Sequence, residues 1–200
     1  MPALNYLSEP NTFYGESDEG YGGKYFGQSS FASMTACKES SVVNVAGMVK
    51  NEEELKKFAP LGCGFQTGAG AVTNIVQAGK KDTVAILGLG GVGLAALMAA
   101  KLSECHTIIA VDRFEKRLDI AKSLGATHII STSSPDLDLV ETIKSITDGH
   151  GTSITIDTTG NMGLIKSAVD FTALQGQVVF IGIPPPMAEL NIHLVTLIQV

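Results

Sequence analysis

Cysteine is scarce in this chain, and what there is lies scattered. Cys37, Cys63 and Cys105 are the three among 200 residues. An odd number at irregular spacing speaks against a disulfide framework and suits reduced thiols in the cytoplasm. No CxxC pair occurs, so the usual spacing of a structural zinc lobe is missing. Basic residues are few as well: 14 Lys and Arg against 20 Asp and Glu give a formal net charge of -6, with a pI near 5.1. They form no stripe, which argues against a nucleic-acid surface. Long apolar runs are also lacking. The most apolar helical stretch, 92–100, is too short to span a bilayer and is flanked by Gly and Lys. Residues 1–10 carry Asn5, Ser8 and Glu9 where a secretory signal needs an apolar core. Neither internal repeats nor low-complexity tracts occur. What remains is 44% hydrophobic and 17% charged, an ordinary globular composition with enough apolar material for one core.

From Asp82 onwards strand-like and helix-like segments alternate with short connections, the pattern of a parallel α/β sheet. Strands are expected at 82–87, 107–112, 128–131, 153–157 and 177–182. All are apolar and rich in β-branched residues, as strands covered on both faces should be. Helices are expected near 91–103, 114–124, 136–146 and 161–173, with Gly125 ending the second and Ser134-Pro135-Asp136 opening the third. Residues 190–200 read as a further helix. The first eighty residues differ in kind. Residues 1–23 read as loop or arm, 25–32 and 41–45 as short strands, 51–58 as a capped helix with Glu52, Glu53 and Glu54 in its first turn, and 61–78 as a helix.

The most informative stretch is Val84-Ala85-Ile86-Leu87 running into Gly88-Leu89-Gly90-Gly91-Val92-Gly93, with Asp112 closing the next strand-like run. This is a dinucleotide fingerprint in its proper setting. The first glycine, Gly88, allows the tight turn, Gly90 lets backbone approach a pyrophosphate, and Gly93 lets the helix pack close to the sheet. The helix then points its N-terminal N–H groups at the phosphates. A carboxylate at Asp112 accepts hydrogen bonds from ribose hydroxyls and repels a 2′-phosphate, so NAD is favoured over NADP. Arg113, next in sequence, works against that preference. The rival reading of Asp112, which the spacing disfavours, is a solvated strand end or the cap of the next helix.

With Leu61-Gly62-Cys63-Gly64-Phe65-Gln66-Thr67-Gly68-Ala69-Gly70 preceding that fingerprint, the chain resembles the zinc-containing medium-chain alcohol dehydrogenases. Within them it is similar to the aryl-alcohol (benzyl alcohol) dehydrogenases, on residues 26–32, Asp157-Thr158-Thr159-Gly160 and the ending Ile181-Gly182-Ile183-Pro184-Pro185. The resemblance runs from about Lys24 to the end. It implies a doubly wound, nucleotide-binding (Rossmann) sheet at 61–200, with 1–60 as remnants of a GroES-like β catalytic domain. It implies NAD-dependent oxidation of a primary, aryl or allylic alcohol to the aldehyde in the cytoplasm, the partner being a small-molecule alcohol or aldehyde. Members form homo-oligomers. Cys63 matches a ligand of the catalytic zinc, and Thr67 a residue beside the nicotinamide. Val92 matches a residue packed on the cofactor, Asp112 the ribose-binding acid and Arg117 a basic residue flanking the adenosine. Thr158, Ile181 and Ile183 match segments lining the ribose and nicotinamide, and Tyr25 and Phe26 fall near the substrate wall. Zinc with one open position would bind the alcohol oxygen and lower its pKa.

The departure from the family is the half that carries the other zinc ligands and the proton relay, for which this chain has no counterpart. One thiol does not make a catalytic site, which takes three protein ligands. His106, His128, His150 and His193 are dispersed on strand ends and loops. The chain is therefore expected to be a fragment, catalytically silent alone. Two alternatives stand beside the dehydrogenase: a non-enzymatic NAD-binding module, and a zinc-free, NADPH-dependent quinone or enone reductase of the same superfamily. Cys63 and Asp112 both speak against the second.

Overall fold

A computed structural model describes residues 12–14, 20–22 and 39–192. The chain divides into two compact units, 1–56 and 57–200. In the first, β1 (Thr12–Tyr14) pairs antiparallel with β2 (Gly20–Gly22). The arm expected over residues 1–23 thus contains a short pairing. Three residues are too few to register as a period. Residues 41–45 are not a strand. Val42 and Val43 are 58% and 79% exposed with no ladder beside them, and β-branched residues alone do not hold a strand without neighbours to pack on. Tyr25, Phe26 and the strand expected at 25–32 lie outside the described residues, as do Cys37 and His193.

The second unit is built on a five-stranded parallel sheet in the order β5-β4-β3-β6-β7. Its strands are β3 (Thr83–Leu87), β4 (Thr107–Asp112), β5 (His128–Ser131), β6 (Thr152–Asp157) and β7 (Thr172–Phe180). Helices α3 (Gly91–Leu102), α4 (Glu115–Ser123), α5 (Leu139–Ile146) and α6 (Met162–Phe171) connect them. Alternation along β3 divides the core. Val84 and Ile86 pack with α3 and α4, while Ala85 and Leu87 pack with Ile143 of α5 and Ala168 and Phe171 of α6. Each large side chain buried this way contributes roughly 1.5–3 kcal/mol of transfer free energy. Helices on both faces explain why the strands read as apolar runs rather than alternating ones.

Local departures have local causes. The helix expected over 51–58 forms as α1 (Glu52–Phe58), whereas the one expected over 61–78 is interrupted. It begins as a 3-10 turn (Ala59–Gly62), breaks at Cys63 (φ -137°, ψ -84°), continues as α2 (Gly64–Gly70) and widens into a π segment (Ala71–Ile75). α5 starts three residues late, at the cap its sequence supplies: Asp138 accepts the Glu141 N–H at 3.0 Å. β7 follows α6 without a loop, reaching back to Thr172, and its register against β6 shifts between Thr152 and Ile154. Residues 190–192 carry no regular structure and the rest of the helix expected there lies outside the described residues.

Candidate functional site

The chain winds outward from β3 through β4 to β5, then returns to lay β6 on the other side of β3. The crevice at the carboxyl ends of β3, β4 and β6 is where such a sheet reverses its order, the place where open α/β sheets hold ligands. A cavity of about 700 Å³ lies there, walled by Gly88, Gly90, Gly91, Val92, Asp112, Arg117, Thr158 and seven others.

The β3–α3 turn is shaped by close approach. Gly88 sits at φ +87°, and an added Cβ would meet Thr159 Cγ2 at 2.6 Å and Thr158 Oγ1 at 2.7 Å. At Gly93 a Cβ would come within 1.8 Å of the Gly88 carbonyl oxygen. Gly93 therefore does not line the cavity; it seats α3 against the turn. Gly90, by contrast, has open space where a side chain would stand, so its backbone is left free on the cavity side. The first N–H groups of α3 have no partner within their helix and open on the same space, a ready anion site.

Asp112 closes the opposite wall. It is 6% exposed, and its Oδ2 accepts the Leu89 N–H at 2.7 Å while Oδ1 accepts the Phe114 N–H at 2.9 Å. Arg117 stands 3.5 Å from Oδ2 with its side chain 47% exposed. The guanidiniums of Arg113 and Arg117 lie 4.6 and 4.8 Å from the Phe114 ring centroid, within cation–π range. The carboxylate is thus aimed by backbone amides and paired with one cation, Arg117, while Arg113 lies against the Phe114 ring.

Thr158 joins the walls. Its N–H donates to the Leu87 carbonyl at 2.9 Å, and its hydroxyl lies 3.0 Å from the Leu87 and Gly88 carbonyl oxygens. Ile181 donates its N–H to the Asp157 carbonyl at 2.8 Å and packs, half-buried, against the α3 side of the core. Ile183 is 92% exposed. Neither belongs to the cavity lining.

Cys63 and Thr67 lie at the start of α2, both exposed, with the Thr67 N–H bonded to the Cys63 carbonyl at 2.8 Å. They too lie outside the lining, yet α2 is held hard against the glycine turn. A Cβ on Gly68 would fall 2.0 Å from the Val92 carbonyl oxygen, and one on Gly91 would meet the Phe65 ring at 3.4 Å. Among the described residues no group of three or more His, Cys, Asp or Glu could hold a metal ion. Cys105 is remote from this site, and burial, reinforced by the Asp82 charge, pushes its thiol above its ordinary range.

Sequence reasoning left Val111, Arg113, Phe114, Thr132, Thr159, Asn161 and Leu164 out of the site, although all seven line the cavity. Arg113 and Phe114 stand beside the ribose-type acid and were visible as neighbours. Thr132 and Asn161 come from other loops and Leu164 from the first turn of α6, and only the strand order brings them in.

Parallel sheet, glycine turn, buried strand-end acid and cavity at the switch point together define a Rossmann-like α/β domain. The chain belongs to the zinc-binding dehydrogenase family, whose model matches residues 91–199. It is 37% identical over 172 residues to a probable alcohol dehydrogenase of a Pseudomonas species, covering 86% of this chain and 53% of the relative. It is also 37% identical over 175 residues to a geraniol dehydrogenase of Castellaniella defragrans, covering 88% and 45%. The solved benzyl alcohol dehydrogenase of Acinetobacter calcoaceticus superposes with a TM-score of 0.77 at 37% identity, covering 87% of this chain and 46% of that one. The chain spans about half the length of the curated relatives it matches.

Proposed function

We propose that residues 61–200 form the NAD-binding domain of an alcohol dehydrogenase, that 1–60 belong to its catalytic domain, and that the enzyme oxidises a primary aryl or allylic alcohol to the aldehyde. The observation that carries this is the cavity at the β3/β6 switch point, with Gly90 open on one wall and Asp112 buried on the other. Relatives named for geraniol and benzyl alcohol support the allylic and aryl choices.

The residues present fit a dinucleotide. The turn at Gly88–Gly93 and the α3 N-terminus would hold the pyrophosphate, since a side chain at Gly90 is absent and unpaired N–H groups are available. Asp112 has both oxygens directed by amides and retains lone pairs for the ribose hydroxyls. Arg117 balances its charge from the solvent side. Thr158 keeps the two turns at fixed separation. The nicotinamide, when bound, supplies the hydride acceptor, and the protein's part is to hold it in contact with the alcohol carbon. The described residues do not fit zinc: Cys63 is a single exposed ligand, and catalytic zinc takes three from protein.

A second reading has its own observation. Arg113 and Arg117 line the ribose end, where a pair of cations would suit the 2′-phosphate of NADP in a zinc-free reductase. Asp112 opposes it by charge repulsion in a poorly solvated place.

Thermal unfolding with NADH and with NADPH decides between them. A ligand at a hundredfold excess over its dissociation constant adds about 2.7 kcal/mol, which for a chain of this size raises the midpoint by roughly 5–11 °C. NADH is expected to give that shift and NADPH at the same concentration a smaller one. Equal or larger stabilisation by NADPH favours the reductase, and no shift with either removes the dinucleotide reading.

A further inference from the structure

A second strand-end acid lies across the crevice from Asp112. Asp157, the last residue of β6, is 0% exposed and makes no ion pair among the described residues. Its carboxylate is instead held by three donors from the turn that follows. Oδ1 accepts the Thr159 hydroxyl at 2.6 Å and the Thr159 N–H at 3.1 Å, and Oδ2 accepts the Gly160 N–H at 3.0 Å. The Thr159 hydroxyl in turn accepts the Asn161 N–H at 3.0 Å. On its backbone side the same residue's carbonyl accepts the N–H groups of Ile181 at 2.8 Å and Gly182 at 3.1 Å.

A charged group buried without a cation is costly, and three hydrogen bonds are what make it tolerable here. The shape these bonds impose has a function. They curl residues 158–161 so that Thr158 reaches the Leu87 and Gly88 carbonyls and Thr159 Cγ2 stands where a Cβ on Gly88 would have to go. Thr158, Thr159 and Asn161 are three of the cavity's lining residues. Asp157 does not line the cavity itself.

We propose that Asp157 is a positioning residue for the dinucleotide: its carboxylate fixes the turn at 158–161 against the glycine turn and thereby sets the affinity of the cofactor cavity. This rests on the dinucleotide reading above. The side chain acts through Thr159 and Gly160, not by touching the ligand. Replacement by Asn is therefore disruptive out of proportion to its size, because an NH2 would face donors where an oxygen now accepts.

The test is fluorescence titration of NADH into the full chain and into Asp157→Asn, Asp157→Glu and Thr159→Val, at a temperature where circular dichroism finds each fully folded. Loss of a hydrogen-bonded buried charge predicts a dissociation constant for Asp157→Asn weaker by roughly tenfold or more. Asp157→Glu, which keeps both oxygens and the charge, is expected to fall between wild type and Asn. Thr159→Val, which removes one donor to Oδ1 and the acceptor for Asn161, is expected to lose roughly threefold or more. A purely structural Asp157 would lower the melting point yet leave the affinity of the folded variants at the wild-type value, and that result overturns the proposal. Should Asp157→Asn not fold, wild-type affinity in Thr159→Val does the same. Absence of NADH binding by the wild type is a different failure, that of the dinucleotide reading itself.

Discussion

Asp112 and Asp157 are chemically alike, each a buried carboxylate ending a parallel strand and holding amides of the turn after it. Only the first was legible in the sequence as a site residue, because its distance from the glycine turn is itself a pattern. Asp157 belongs to an Asp-Thr-Thr-Gly string, and nothing in that string says that its oxygens will meet three donors. Asp112 differs in also reaching across to the Leu89 N–H, which ties it to the glycine turn and directs it into the cavity. Its charge should then set cofactor choice. Asp112→Asn keeps one acceptor oxygen while removing the charge that repels a 2′-phosphate, and Arg113 and Arg117 remain to receive it. Titrations with NADH and NADPH are expected to show weaker NADH binding and a fall of about tenfold or more in NADH-over-NADPH preference, the scale of one removed charge contact at a partly buried site. An unchanged preference would mean that the arginines, not the acid, govern the ribose end.

At the scale of elements, the five strands and the four helices between them followed from alternating composition, because parallel strands buried on both faces leave a strong apolar signal. Boundaries were weaker where a cap or an irregular turn competes with periodicity. The Ser134-Pro135-Asp136 opening suggested helix from 136, yet α5 begins at Leu139, where Asp138 satisfies the Glu141 N–H. The segment 61–78 was the hardest to foresee. Its π turn at Ala71–Ile75 and break at Cys63 accompany the approach of Gly68 to the Val92 carbonyl, a tertiary contact with no sequence signature. The cap at Asp138 offers a test that separates element stability from site chemistry. Asp138→Ala leaves the N–H of Glu141 without its side-chain acceptor and is expected to cost about 1 kcal/mol, or roughly 2–4 °C in melting midpoint. The NADH dissociation constant should stay at the wild-type value, since Asp138 is outside the cavity lining. A weakened affinity would show that α5 transmits strain to the cofactor walls.

On the scale of the whole molecule, α3 carries a lesson about what a uniformly apolar helix means. Residues 91–102 are apolar almost all round, which reads as burial on every side. The sheet covers one side, with Ala96, Leu97 and Ala100 fully buried. The other side is open, with Met98 42% and Leu102 85% exposed. Together with Leu61 and Phe65 they line an apolar groove of about 620 Å³ on the α2/α3 surface. On a chain of net charge -6, a contiguous apolar surface of this kind is expected to take up an apolar probe. An environment-sensitive apolar dye such as an anilinonaphthalene sulfonate should therefore fluoresce with the folded protein. Leu102→Glu is expected to reduce that signal about twofold or more while moving the melting midpoint little, because a side chain this exposed contributes little buried area. Cofactor should not displace the dye, since the groove and the Asp112 cavity share no lining residue. Loss of the signal on adding NADH would instead place the dye in the cofactor cavity. An undiminished signal in Leu102→Glu, with no loss on adding NADH, would mean that this groove is not where apolar molecules dock.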